Sequence, residues 1–366
     1  MENIWQKYAK VLVEYSTKIK KDDKVIIRAE AQAQPLVKAV YEEVLKKGAH
    51  PILRISLDEL NNSYFKYASN EQLDYIDDFV KLEYEKADAL IAISAPYNTK
   101  ALSLVPSEKQ ARRSKATKPL STLMLSRAEK GELNWVICNF PTNSRAQDGK
   151  MSLEEYSDFL LNTCYLNDPD PVARWQEMEE FQARIAQILN TKSKIRFVGE
   201  KTDITFSTAG RKWISCSGKN NFPDGEIFTS PVEDSANGTV FFDFPAIYRG
   251  NEVNNITITL KDGKVVEAHA EKNEEFLQKM LNLDEGASFV GEIAIGTNKN
   301  VTRITGDILL DEKIGGSIHI AFGASYPETG GKNESGLHWD IIKNMKNGGQ
   351  IFADDELIYE NGNFLI

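Results

Sequence analysis

The sequence predicts an α/β protein in two parts, a Rossmann-like parallel sheet wrapped by helices and then a strand-rich α+β portion. Three observations carry that reading. Short apolar runs alternate with amphipathic helical stretches up to about residue 190, the pattern of strands joined by helical crossovers. From Lys194 the texture changes to short alternating segments separated by turns, with a hairpin signal at Asp262-Gly263. No Gly/Ser-rich linker lies between, so the expectation is an N-terminal α/β domain over 1–190 packed tightly on a C-terminal domain over 191–366.

Taken in order, Ile4, Tyr8, Val11, Leu12 and Tyr15 form a helical stripe within residues 1–20. Lys24–Arg28 is a short buried strand. Pro35–Lys47 is a helix with Leu36, Val40, Tyr41 and Val44 on one side, closed by Gly48. Pro51–Ser56 is the second strand, a long helix covers Asn61–Lys86, and Ala87–Ala95 is the third strand. Ser107–Lys130 is helical around Pro119, and Asn134–Phe140 is the fourth strand. Neither a Gly-x-Gly-x-x-Gly after the first strand nor a phosphate-binding Gly-x-x-x-x-Gly-Lys-Ser/Thr is present, so this half has a Rossmann-like shape without a nucleotide fingerprint. The basic run Lys109, Arg112, Arg113, Lys115 and Lys118 reads as a solvated helix face. Ser152–Asn162 and Val172–Leu189 fit two further helices. After Lys194, strands are expected at Ile195–Phe197, Asp203–Thr208, Lys212–Cys216, Phe241–Phe244, Asn255–Leu260 and Val265–Ala270, with one helix near Asn273–Leu281.

Composition narrows the function classes. A length of 366 residues with 41% hydrophobic and 27% charged residues is ordinary for a globular protein with ample core. A net charge of −10 argues against a general nucleic-acid or anionic-membrane binder and suits a protein that holds cations. Cys138, Cys164 and Cys216 are widely spaced, show no Cys-x-x-Cys, and read as reduced thiols, which points to the cytoplasm. No signal-peptide pattern opens the chain and no apolar run is long enough to span a bilayer.

The chemistry concentrates between Gly315 and Ile342. Two of the four histidines lie here, each inside an apolar run. In an extended chain alternate side chains share a face, so Ser317, His319 and Ala321 point one way and Ile318, Ile320 and Phe322 the other. The same count sets His338 beside Asp340, with Leu337, Trp339 and Ile341 turned away. A buried carboxylate is costly unless a charge compensates it, so His319, His338 and Asp340 suggest a divalent-metal site. Glu292 interrupts the apolar run Val290–Ile295, and Gly291 beside it lets another group approach the backbone. Glu226 follows a turn and leads into a strand. Two histidines and three carboxylates resemble the ligand complement of a two-metal hydrolase. Tyr326, just before Pro327, is a candidate oxyanion donor. His50 and His269 lack a comparable setting and are read as structural.

The runs Asn221-Phe-Pro-Asp-Gly-Glu-Ile-Phe-Thr-Ser-Pro231, Gly291-Glu292, Ile318-His-Ile-Ala-Phe-Gly323 with Tyr326-Pro327, and His338-Trp-Asp340 resemble the M29 family of metallo-aminopeptidases. The N-terminal Lys7-Tyr-Ala-Lys-Val-Leu-Val-Glu-Tyr15 segment is also similar to the family's start, so the resemblance covers nearly the whole chain. It implies that Glu226, Glu292, His319, His338 and Asp340 bind two divalent ions, zinc or cobalt before manganese or magnesium. It also implies a catalytic role for Tyr326 and for Glu292 as general base. A homodimer acting on short peptides follows from it too, with the N-terminal domain as scaffold, dimerisation surface or site cover. The connection from Tyr326 to His338 is shorter than in better-known members, which leaves the substrate preference open. The main alternative is a mononuclear iron(II) ring-cleaving dioxygenase on a similar fold, using only His319, His338 and Asp340. Such a site has no need of Glu226 and Glu292, which favours the hydrolase. A metal-binding protein without turnover is the third reading.

Overall fold

The computed structural model describes residues 3–366, so the helical expectation for the first two residues lies outside it. The chain divides into two compact units. One comprises residues 1–175 with 218–223, the other 176–217 with 224–366.

In the first unit four strands, Lys24–Glu30, His50–Ser56, Ala89–Ser94 and Asn134–Asn139, pair in parallel, with the His50 strand outermost beside the Lys24 strand. Their apolar runs are continuous because helical crossovers cover a parallel sheet on its faces. Val25, Ile26, Ile27, Leu90, Ile91, Ile93 and Val136 are buried accordingly. A short fifth strand, Asn221–Phe222, adds in parallel to the Asn134 strand from far along the chain.

Two expectations change here. The single helix over Asn61–Lys86 is three: Asp58–Tyr67, Asn70–Asp74 and Asp78–Lys86. Ala68 and Tyr75 are extended, and Ser69 and Asp77 cap the helices that follow, Ser69 in a reciprocal box with Gln72. The basic run on the helix Ser107–Glu129 is more than a solvated face. Arg112 pairs with Asp74, Arg113 donates to the carbonyls of Leu73 and Tyr75, and Lys109 to that of Phe65, so these cations fasten the broken segment.

The second unit contains two antiparallel sheets. A nine-stranded sheet includes Lys194–Gly199, Thr202–Ser207, Asn237–Phe242, Asn251–Lys261 and Lys264–Lys272. A five-stranded sheet is ordered His338–Asn344, Ser317–Gly323, Val290–Gly296, Glu226–Thr229, Ile214–Cys216. One face of the smaller sheet, with Ile227, Ile293, Ile295, Ile318, Ile320, Phe322, Trp339 and Ile341, shares a core with Phe197, Phe206, Val240, Phe242, Ile256 and Ile258 of the larger. Each large side chain removed from water there contributes about 1.5–3 kcal/mol. That anchors one face of the smaller sheet and fixes which residues its other face presents.

All three cysteines are free thiols. No helix among the described residues is long and apolar enough to cross a membrane.

Candidate metal centre

Strand register brings the five singled-out residues together. His319 pairs across from Ile342, Ala321 from Asp340, and Gly323 from His338, so both histidines and Asp340 lie on the face opposite the core. On the other side Ala321 pairs with Glu292 and His319 with Ala294. Gly296 then pairs with Glu226. Alanines and a glycine alternate with the polar side chains on this face and leave room above it.

Glu292 reaches that face through a β-bulge. Val290 pairs with Phe322, which is in the core, and the next paired residue is Glu292, opposite Ala321. In a regular strand Val290 and Glu292 would share a face; the extra residue, Gly291, sends the valine inward and the glutamate to the site. A Cβ on Gly291 would lie 2.2 Å from the Ala324 carbonyl oxygen and 2.5 Å from that of Gly323. The close approach read from Gly291 in the sequence is therefore made by backbone, and the Ala324 oxygen has a task. It lies 2.8 Å from His338 Nδ1. A proton on Nδ1 donated to this carbonyl leaves the Nε2 lone pair facing the cluster.

Nε2 of His319 is 3.3 Å from Glu226 Oε2, 3.5 Å from Glu292 Oε1 and 4.0 Å from Asp340 Oδ1. Nε2 of His338 is 3.4 Å from Glu292 Oε2 and 3.6 Å from Asp340 Oδ1. Most of these separations exceed ordinary hydrogen-bond lengths. They match donor atoms sharing a tetrahedral cation, which bond lengths near 2.1 Å place about 3.4 Å apart. Glu226 Oε2, Asp340 Oδ1 and both His319 nitrogens are buried without hydrogen-bond partners, an arrangement costly to maintain unless a cation completes it. The residues fit a divalent metal.

A sequence model of the thermophilic metalloprotease family, M29, matches residues 1–364. The chain belongs to that family. Aminopeptidase 2 of Geobacillus stearothermophilus is 29% identical over 358 residues, spanning 89% of this chain and 85% of the relative. Aminopeptidase T of Thermus thermophilus is 28% identical, spanning 98% and 95%. PepS of Streptococcus thermophilus is 26% identical, spanning 100% and 98%. Among solved structures, wild-type AmpT from Thermus thermophilus superposes with a TM-score of 0.85 at 25% identity over 99% of both chains. That match bears out the α/β fold class. The 2,5-dihydroxypyridine dioxygenase of Pseudomonas putida shares the fold, with a TM-score of 0.57 at 14% identity over 99% of this chain and 96% of its own.

In this M29 protein Tyr326 stands beside the cluster, its ring edge-on to His338 at 5.1 Å and to Phe228 at 5.2 Å between centroids. Although the residue is 38% exposed, loss of water around its hydroxyl and the nearby carboxylates push its phenol up, so the hydroxyl keeps its proton. The connection to His338 is short and held at several points. Asn333 donates to the carbonyls of Gly286 and Gly323, and Asp284 accepts from Ser335 Oγ and the Gly336 amide. His50 and His269 lie at the surface, His50 near Asp22 and His269 between Glu267 and Glu274. Neither joins the cluster.

Three charged residues were not legible in the sequence: Asp224, Glu312 and Lys313. All are buried. Glu312 offers an oxygen near a carboxylate oxygen of Glu226 and a ring nitrogen of His319. Burial pushes its carboxyl up to about 8, against the pull of Lys313. Lys313 itself contacts Asp224, Glu226 and Glu312. A charged pair before an apolar strand ordinarily marks a solvated turn, and only the neighbours of Glu226 make it otherwise.

Proposed function

We propose that this chain releases N-terminal residues from short peptides, using two divalent cations held by Glu226, Glu292, His319, His338 and Asp340. It is a metal-dependent aminopeptidase, a hydrolase of the exopeptidase kind, a reading supported by its M29 membership and its aminopeptidase relatives. The observation that carries two cations rather than one is Glu292, whose two oxygens face different histidines. Glu226, Glu292 and His319 would hold one cation, and Glu292, His338 and Asp340 the other. Imidazole and carboxylate donors suit zinc or cobalt, with manganese or magnesium as alternatives.

When bound, such a pair lowers the pKa of a shared water, polarises the scissile carbonyl and captures a free amino group. The chain's own residues supply the rest. Glu292, through a carboxylate lone pair not engaged by a cation, would take the proton from the attacking water and return it to the leaving amine. Tyr326 donates its hydroxyl hydrogen to the oxyanion as negative charge develops. The Ala324 carbonyl holds the His338 ring so that the geometry is set before substrate arrives. The N-terminal portion, 1–190, contributes none of these groups and is assigned scaffolding and dimerisation. A cytoplasmic homodimer agrees with the three free thiols and with the family resemblance.

Elemental analysis paired with turnover of leucyl- and arginyl-p-nitroanilide and a short peptide tests the reading. Close to two zinc, cobalt or manganese ions per chain is expected, with hydrolysis lost on Glu292→Gln. One iron per chain without peptide cleavage would overturn it in favour of the ring-cleaving alternative.

A further inference from the structure

Behind Glu226 lies a cation that belongs to the protein. Lys313 has no exposed surface, yet its ammonium meets three carboxylates. It donates to Glu226 Oε1, lies 2.6 Å from Glu312 Oε1, and 3.4 Å from Asp224 Oδ1. The backbone delivers it there from the turn after the short helix Ile308–Asp311, where the Lys313 amide donates to the Leu310 carbonyl and its own carbonyl accepts from Asn298. A buried ammonium is costly on its own, so its place depends on these partners.

The two oxygens of Glu226 consequently differ. Oε1 is taken by Lys313, whereas Oε2 has no hydrogen-bond partner and faces His319 Nε2 at 3.3 Å. Glu292, by contrast, turns one oxygen to each histidine. An ammonium fixed on one oxygen obstructs two-oxygen chelation by that carboxylate and aims the remaining oxygen. Simple charge neutralisation has another signature. Two cations in such a site lie about 3.5–4 Å apart, so removal of a nearby charge alone is felt at both positions.

We propose that Lys313 is a positioning residue of the metal centre: by engaging Glu226 Oε1 it makes Glu226 a one-oxygen ligand, and so sets the affinity of the position beside His319 separately from that beside His338. This rests on the two-cation reading above. Lys313 touches neither substrate nor the reacting atoms.

The test is stepwise metal binding to the full-length protein, stripped with a chelator and titrated with cobalt(II) against a competing chelator. Wild type is compared with Lys313→Met and with the double variant Lys313→Met/Asp224→Asn, which also removes a carboxylate partner of the lysine. With the Asp224 carboxylate removed along with the ammonium, the double variant leaves Glu226 unanchored without stranding that partner, so it carries the test if the single variant does not fold. Wild type is expected to take up two equivalents. The variants are expected to keep one equivalent with affinity within about threefold and to bind the other about 10–100-fold more weakly, the range for loss of an outer partner of a ligand. A lysine that merely supports the fold would lower the melting temperature and leave both stepwise affinities unchanged. Wild type with two equivalents and a folded variant that matches it, or that loses both affinities equally, overturns the proposal alone. Wild type that takes up a single equivalent overturns the two-cation reading and the proposal with it.

Discussion

Gly291→Ala perturbs the centre without removing a ligand. The new methyl carbon would lie 2.2 Å from the Ala324 oxygen, where contacts of about 3.4 Å are needed, so strand and loop must part by roughly 1.2 Å. That oxygen holds the His338 ring through Nδ1, and Nε2 on the ring's far side is 3.4 Å from Glu292 and 3.6 Å from Asp340. A displacement near 1 Å in a reacting assembly costs on the order of 100-fold in rate, about 2.7 kcal/mol in the barrier. Loss of the outer partner of a histidine ligand weakens metal binding about 10–100-fold. Forcing a methyl group into packed backbone costs a further 1–3 kcal/mol or so of stability. Steady-state kinetics on leucyl-p-nitroanilide, chelator-competition titration and urea unfolding read the three effects separately. A variant with wild-type kcat and metal affinity would refute the role assigned to the Ala324 carbonyl.

Stripping the metal should lower the melting temperature of the second unit. At 100 times Kd each ion adds about 2.7 kcal/mol, and for a unit of roughly 185 residues an entropy near 2.1 cal/mol/K per residue turns two ions into about 14 °C. Calorimetry that shows a shift under about 2 °C on saturation would contradict tight binding at this cluster. Tyr326→Phe should reduce kcat by about 10²–10³, the cost of one oxyanion donor, while metal content by elemental analysis stays at the wild-type value. On the nine-stranded sheet, Arg196 hydrogen-bonds Asp203 with two nitrogens and holds its carboxyl below the usual range. A depressed folded-state value means that the stabilisation is present above the unfolded value of about 3.9 and fades as pH falls through the folded one. Because both side chains are largely exposed, Asp203→Asn should cost less than about 1 kcal/mol at neutral pH in urea unfolding. The difference from wild type should shrink on acidification and with added salt.

What could be read from the sequence follows from the range of the forces involved. Strand alternation is local, so Ser317-Ile-His319 and His338-Trp-Asp340 show their faces without knowledge of the fold. Glu292 stands out because a lone carboxylate in Val290–Ile295 needs compensation. Its bulge was only half visible: Gly291 signalled a close approach, but the partner, the Ala324 carbonyl, is supplied by another strand end. The helix breaks at Ala68 and Tyr75 had local signals in Ser69-x-x-Gln72 and Asp77 that the helical periodicity outweighed. Lys313 lay beyond reach altogether. Its burial depends on a carboxylate 87 positions away, and nothing near Glu312-Lys313 distinguishes the pair from a solvated turn.

The gathering of donors by strand pairing also constrains the order of events during synthesis. The five residues run from Glu226 to Asp340, and each neighbouring pair meets only when its strands register. A ribosome that has released only the Glu226 and Glu292 strands has exposed carboxylates but neither His319 nor His338 to accompany them. The nascent chain therefore cannot use a cation as an early template, as a zinc finger does. It must close an antiparallel sheet of long sequence separation first, a slow step. The ion then arrives as a late stabiliser of a nearly finished protein.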